Sequence, residues 1–347
     1  MCQISAVSDP FALNARRRAL ARRTLQLRRD EIHAAVTALV ESGTKPSAIR
    51  SLADLVQPDN LKRILRRRLE CKTNTFNHFL GKTLVQVARD WVKVDAEEAL
   101  ELKRLVSKMP APVAGLTDRN KQALRQFDDP AVLRRLYCLP EILWKEARRE
   151  KSNRLTLAKT QVALAVGIEC YTALRLQNLV ALEFGTHLFM REDARAISSL
   201  EVPAHEVKSR TDLAFDIPPS LAKMLIEYRD HLAPNIIGHR PTRLFVNVDG
   251  TPKNQAALSV LIMTYLRRRA GIVLTPHQFR HLAAKVVLEA QPGEFEVVKQ
   301  FLGHTSIKTT VSAYAGIDTR RAARRHQHLV EQALAAQMPT RRSRRRA

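Results

Sequence analysis

Residues 275–281 read TPHQFRH, and residues 302–314 read LGHTSIKTTVSAY. Thr275 and Pro276 make a good N-cap and first helical residue, because proline has no N–H to leave unsatisfied. A helix starting there puts His277 and Arg280 one turn apart on one face. Beside the free N–H groups of a helix start, such a pair suits an anion. Alone, a pair of this kind is most often a capping or surface contact. It gains weight from the residues downstream: a helix ending at Leu302-Gly303, then His304, then a run through Thr309 and Thr310 to Tyr314. A lone Tyr after a helix is usually a packing residue, so the reading rests on the set.

Upstream, residues 154–170 read as a strongly apolar helix, followed by Thr172-Ala173-Leu174-Arg175-Leu176-Gln177-Asn178-Leu179. Arg175 follows that buried helix within an apolar stretch, where an unpartnered cation is costly, and this favours a site over a solvated face. Residues 186–217 change character. Leu188-Phe189, Ala196 to Val202 and Leu213 to Ile217 are short runs ended by polar residues or by Pro203 and Pro218, and they predict a small antiparallel sheet. Lys208 and Arg210 fall within it two residues apart, the same alternation class, so strand register would decide between them. After Pro219 the pattern is helical again, except around Leu244 to Val248.

The N-terminal part is Arg-rich from Asn14 to Arg29, then amphipathic, with Ile32, Val36, Leu39 and Val40 at helical spacing and Gly43 as a stop. A second helix follows Asp59 with Arg66, Arg67 and Arg68 exposed; a third places Leu80, Leu84, Val87 and Trp91 on one face; Ala96 to Val106 is a fourth. Clustered arginines there point to phosphate contacts, against the bland reading of a helical bundle with solvated charges. Met109 to Gly115, with two prolines and a glycine, is the linker candidate. Thr117 can cap a short helix, and Pro130 and Pro140 are expected to break the chain. This gives a helical, basic domain over 1–110, a second domain over 111–335, and a basic tail over 336–347.

Composition narrows the partner. Lys and Arg total 58 against 34 Asp and Glu, a net charge of +24 over 347 residues. Such a chain repels itself unless a polyanion is its working partner, which ranks nucleic acid ahead of a merely basic soluble protein. The cysteines at 2, 71, 138 and 170 show neither metal spacing nor a disulfide framework. Residues 1–30 lack the apolar run of a signal peptide, and no stretch is long enough to span a membrane. The expectation is a cytoplasmic protein.

Together these motifs resemble the tyrosine recombinases, the phage integrase family. His277-x-x-Arg280 matches the family's His-x-x-Arg pair, Leu302-Gly303-His304 its Leu-Gly-His motif, and Tyr314 lies at the family's distance beyond. The segment around Arg175 looks like the first-arginine motif, and Lys208 lies where the hairpin lysine belongs. The match covers roughly residues 155–320; the N-terminal half is similar in character to the family's core-binding domain. The resemblance implies a mainly α fold with a small antiparallel β-sheet, in a two-domain DNA breaking–rejoining architecture. It also implies Arg175, Lys208, His277, Arg280, His304 and Tyr314 as site residues, with no cofactor and no metal. The partner would be double-stranded DNA, bound by four like or unlike protomers on paired sites.

A covalent protein–phosphate link stores the energy needed to rejoin DNA, and a phenol can serve both as nucleophile and as leaving group. Two guanidiniums suit the charged transition state because their planar fork holds two oxygens at once. Two positions depart from the family pattern: Ala173, where glycine is usual, and Asn178, where an acid is usual. Ala173 is expected to need ordinary backbone angles and so to change the local turn. Asn178 removes a charge that could orient Arg175 or Lys208. His281 is expected to pack behind the site. A type IB topoisomerase-like nicking–closing enzyme and a DNA-binding relative without catalysis are the alternatives.

Overall fold

The computed structural model describes residue 20 and residues 22–70, 75–111, 115–190, 197–314, 323 and 326–332. The chain divides into two compact units, residues 1–113 and 114–347. The Arg-rich stretch before residue 20, most of the linker's centre and the basic tail lie outside the described residues.

In the first unit, helices α1 (Arg22–Glu41), α2 (Leu52–Val56), α3 (Pro58–Glu70), α4 (Thr75–Val87) and α5 (Ala96–Ser107) enclose one apolar core. Ala35, Leu39, Leu61, Ile64, Leu80, Leu84 and Leu102 form its centre. Glu31 is also buried, accepting a hydrogen bond from Thr83 Oγ1 at 2.7 Å, and burial holds its carboxyl above the usual range. Two sequence expectations need correction. Trp91 is 50% exposed rather than on the face of Leu80 and Leu84. A π-helical turn over Ala88–Val92 follows α4, and its wider turn rotates residue 91 off the buried stripe. Of Arg66, Arg67 and Arg68 on α3, only Arg66 is exposed. Arg67 pairs with Glu41 at 2.8 Å and Glu70 at 3.0 Å, and Arg68 Nε donates to Asn77 Oδ1 at 2.9 Å. Interhelical partners, invisible in local charge clustering, occupy two of the three.

The second unit begins with α6 (Asp118–Arg125), capped by Thr117, and α7 (Pro130–Ala147), capped by Asp129. Pro130 starts α7, but Pro140 does not break it; the helix runs through Pro140, which is buried. Tertiary packing outweighs the lost backbone hydrogen bond there. The central helix α8 (Arg154–Thr172) is buried along nearly its whole length, and short α9 (Leu176–Val180) follows it. Strands β1 (Leu188–Met190), β2 (Ile197–Val202) and β3 (Leu213–Asp216) form the expected antiparallel sheet in order β1-β2-β3, pairing Leu200 with Phe215 and Leu188 with Leu200. Helices α10 (Pro219–Glu227), α11 (Pro234–Ile237), α12 (Gln255–Tyr265), α13 (Pro276–Ala290), α14 (Phe295–Leu302) and α15 (Ile307–Tyr314) complete the unit. One core unites Leu164, Ile168, Leu200, Leu225, Phe245, Ile262, Leu282, Leu302 and Tyr314. No helix among the described residues is long and apolar enough to cross a membrane.

Candidate active site

The ends of α8 and α14 in the second unit meet at Arg280. This residue, one turn into α13, is only 4% exposed. Its Nη1 donates to the carbonyl of Ala173 at 2.8 Å, and its Nη2 donates to the carbonyl of Leu302. Both carbonyls lie where helices end, at the C-cap of α8 and the last residue of α14, and carry the partial negative charge of those ends. A guanidinium has five N–H donors, so about three remain for a ligand.

Ala173 holds the left-handed conformation, φ 45° and ψ 45°. The expectation of ordinary backbone angles was wrong: the turn is kept and alanine bears its strain. The C-cap needs that geometry, and the Ala173 carbonyl must face Arg280. Replacing Ala173 with Gly is therefore expected to stabilise the protein by about 0.5–1 kcal/mol, relief of Cβ strain exceeding the added freedom of the unfolded chain. Urea unfolding measures it; a destabilised variant would contradict the strain assigned here.

Arg175 caps α9, and its Nη1 is buried with no hydrogen-bond partner. Burial depresses its pKa, while burial and the nearby Arg175 charge bring Arg280 down to about 10. Both stay cationic at neutral pH. The buried Glu169 lies near Arg280, but neither carboxylate oxygen has a hydrogen-bond partner, and burial pushes its pKa well above the usual range. Burial thus disfavours the charged form of Glu169 beside Arg280. Among the described residues neither arginine forms an ion pair, so the pocket holds two neighbouring cations with no paired carboxylate.

Three histidines and Tyr314 complete the pocket. His277 is exposed, and its ring meets that of His281 edge-to-face at 5.1 Å. Desolvation, then Arg280 and Arg175, hold it below the usual histidine range. His304 follows the left-handed Gly303, and its Nδ1 lies 2.9 Å from the buried Thr310 Oγ1. Desolvation, Arg280 and Arg175 bring its pKa to about 4. Tyr314 ends α15 at 2% exposure; burial pushes its phenol up to about 12, opposed by Arg280. Its Oη lies 2.9 Å from His281 Nδ1. The side chain expected behind the site thus touches the candidate nucleophile, because a helix places residues 277 and 281 on the same face.

Lys208 stands apart from the other five. It is exposed in the turn between β2 and β3, not on a strand, so alternation cannot choose between it and Arg210. Arg210 has φ 58° and is engaged through Nη1 with the His205 carbonyl at 3.0 Å, whereas Lys208 has no polar partner among the described residues. The turn is tethered by Asn178, whose Nδ2 donates to the Glu206 carbonyl at 3.3 Å. It also lies against the Leu-Gly-His segment: a Cβ on Gly303 would stand 2.9 Å from Leu213 Cδ2 and 3.5 Å from Ser209 Oγ.

A helical unit with a three-stranded antiparallel sheet, and with this order of motifs, has the architecture of tyrosine recombinase catalytic domains. The chain belongs to the phage integrase family, whose model matches residues 148–321, half of its length. Among solved structures, a lambda integrase dimer bound to a COC′ core site aligns with TM-score 0.51 and 13% identity, covering 84% of this chain and 88% of that one. The Tn1549 transposon integrase in complex with circular intermediate DNA aligns with TM-score 0.49 and 16% identity, covering 89% and 94%. XerA recombinase aligns with TM-score 0.37 and 19% identity, covering 87% and 92%. At these identities the lambda integrase likeness speaks to the fold. Curated protein sequences give no match.

Proposed function

We propose that this protein is a site-specific DNA recombinase that cleaves and rejoins duplex DNA through a 3′-phosphotyrosyl intermediate on Tyr314. One observation carries the reading: a buried arginine and a half-buried one, neither of them in an ion pair among the described residues, sit beside a buried phenol in a chain of this family. An electrostatically uncompensated pocket is unfavourable until an anion enters it, and a phosphodiester presents two non-bridging oxygens. Arg175 and Arg280 clamp those oxygens with their free donors, and His304 donates to one of them. Tyr314 Oη attacks phosphorus and the P–O5′ bond breaks. The departing oxygen takes a proton from Lys208, which the long, unpaired side chain on the β2–β3 turn can bring to it. His277, kept neutral by partial desolvation and its arginine neighbours, accepts the phenol proton. Reversal with a new 5′-hydroxyl joins a partner strand. The first unit serves as the core-binding domain, and four protomers act on two DNA sites.

Covalent capture tests this proposal and finds the target site in the same experiment. Duplexes with a randomised central segment, each nicked so that cleavage releases a short fragment, are incubated with the protein and denatured. Sequences that survive as protein adducts should converge on one site, and peptide mapping should place the phosphate on Tyr314. No enrichment, or a phosphate on another residue, would overturn it.

A further inference from the structure

His281 contacts the Tyr314 oxygen, yet the mechanism above gives it no role. Its ring lies at the end of a chain of hydrogen bonds whose direction is set at the far end by the main chain. The backbone N–H of Thr275 can only donate, and it reaches Gln278 Oε1 at 2.8 Å. The amide of Gln278 is thereby oriented, and its Nε2 donates to Asn120 Oδ1 at 3.0 Å. The Asn120 amide is oriented in turn. Its Nδ2, which can only donate, lies 3.2 Å from His281 Nε2. That nitrogen must therefore be bare, so the proton of the neutral ring resides on Nδ1, 2.9 Å from Tyr314 Oη. The opposite tautomer would set two N–H groups against each other at Asn120. The chain is shielded: Gln278 is 4% exposed, and Asn120 lies in the first turn of α6, under the Thr117 cap.

We propose that Thr275, Gln278 and Asn120 lock His281 as an Nδ1–H donor to Tyr314, so that His281 is a further catalytic residue that stabilises the phenolate rather than a base that receives its proton. The inference rests on Tyr314 being the nucleophile. During attack the phenol sheds its proton away from His281, towards the rest of the pocket. During rejoining the phenolate leaves as an anion, and the same Nδ1–H receives it. The donor needs no reorganisation in either direction, which is the property that makes fixed N–H groups effective beside a developing oxyanion. Gln278 and Asn120 act only through His281 and are positioning residues. The titratable and charged groups facing the ring are His277 and Arg280 on α13, His304 after α14 and Tyr314 on α15. Burial, then His277, Arg280 and His304, bring His281 to about 4, so it stays neutral across the physiological range.

Three measurements test the lock. Imidazole nitrogen chemical shifts of the free full-length protein should show His281 as the Nδ1–H tautomer at neutral pH; the Nε2–H tautomer would overturn the proposal whatever the chemistry of Tyr314. His281→Leu should slow single-turnover adduct formation on the captured duplex by about 10²-fold, the loss associated with one oxyanion donor. His281→Asn, which can place an amide N–H near the lost Nδ1, should recover part of it. An unchanged or faster rate in His281→Leu would mean that the contact restrains the phenol, and the proposal would fall. Asn120→Asp reverses the lock, since a carboxylate draws the ring proton to Nε2 and favours the doubly protonated ring at low pH. Its cleavage rate relative to wild type should fall as pH rises through the new His281 pKa. A constant ratio across pH would also overturn it. Loss of the adduct-forming role of Tyr314 would instead defeat the functional proposal and leave the tautomer result standing.

Discussion

Tyr314→Phe is expected to leave no covalent adduct on the captured duplex, while the second unit remains folded. The substitution removes one oxygen and keeps the ring, which belongs to the central core with Leu302 and Phe279. Packing volume is conserved, so no cavity opens. The cost is the unpaired Nδ1–H of His281, on the order of 1–3 kcal/mol for a buried donor left unsatisfied. The adduct, in contrast, cannot form without a nucleophile, and removing the hydroxyl removes the reaction rather than slowing it. Denaturing electrophoresis of the adduct and a thermal melt of the variant separate the two effects. An equal adduct from the Phe variant would remove Tyr314 from the chemistry.

Arg280→Lys should be nearly as damaging, for a different reason. Charge is conserved, but a single ammonium cannot reproduce a fork that reaches the Ala173 and Leu302 carbonyls together and still faces a phosphate. At least one helix-end carbonyl loses its partner in a buried setting, costing about 1–3 kcal/mol of stability. Cleavage should fall by about 10³-fold, since the loss combines a clamp on the transition state with a shift of the helix ends that carry Arg175 and His304. Single-turnover cleavage beside urea unfolding reads both quantities. A stable variant with near wild-type cleavage would show that Arg280 serves only as a neutral fastening between helices.

Much of this was visible in one dimension, because the features concerned depend on near neighbours. The Thr275-Pro276 start, the helix end at Gly303 and the prolines closing the strands are local backbone chemistry, and the sheet formed where short runs were punctuated. Motif spacing also named Arg175, His277, Arg280, His304 and Tyr314, and the fold gathers these five side chains around Arg280. Elsewhere local rules were outvoted. Pro140 lies inside a helix because the buried face of α7 is worth more than one backbone hydrogen bond. Trp91 left its face because a π-turn changes phase. Ala173 takes a glycine's conformation because its carbonyl must meet Arg280.

From TPHQFRH and the tyrosine after LGH, the residue order alone pointed to the family and the fold class, since both depend on spacing, and total charge pointed to a polyanionic partner. Folding decided which groups meet. Asn120 lies 161 residues from His281, and no periodicity joins them; only the packing of α6 against α13 does. That Arg175 and Arg280 form no ion pair among the described residues is likewise a property of three dimensions, because burial disfavours the charge of a nearby carboxylate such as Glu169. Chain order can name the cations, but only burial and distance determine that they gather around one phenol.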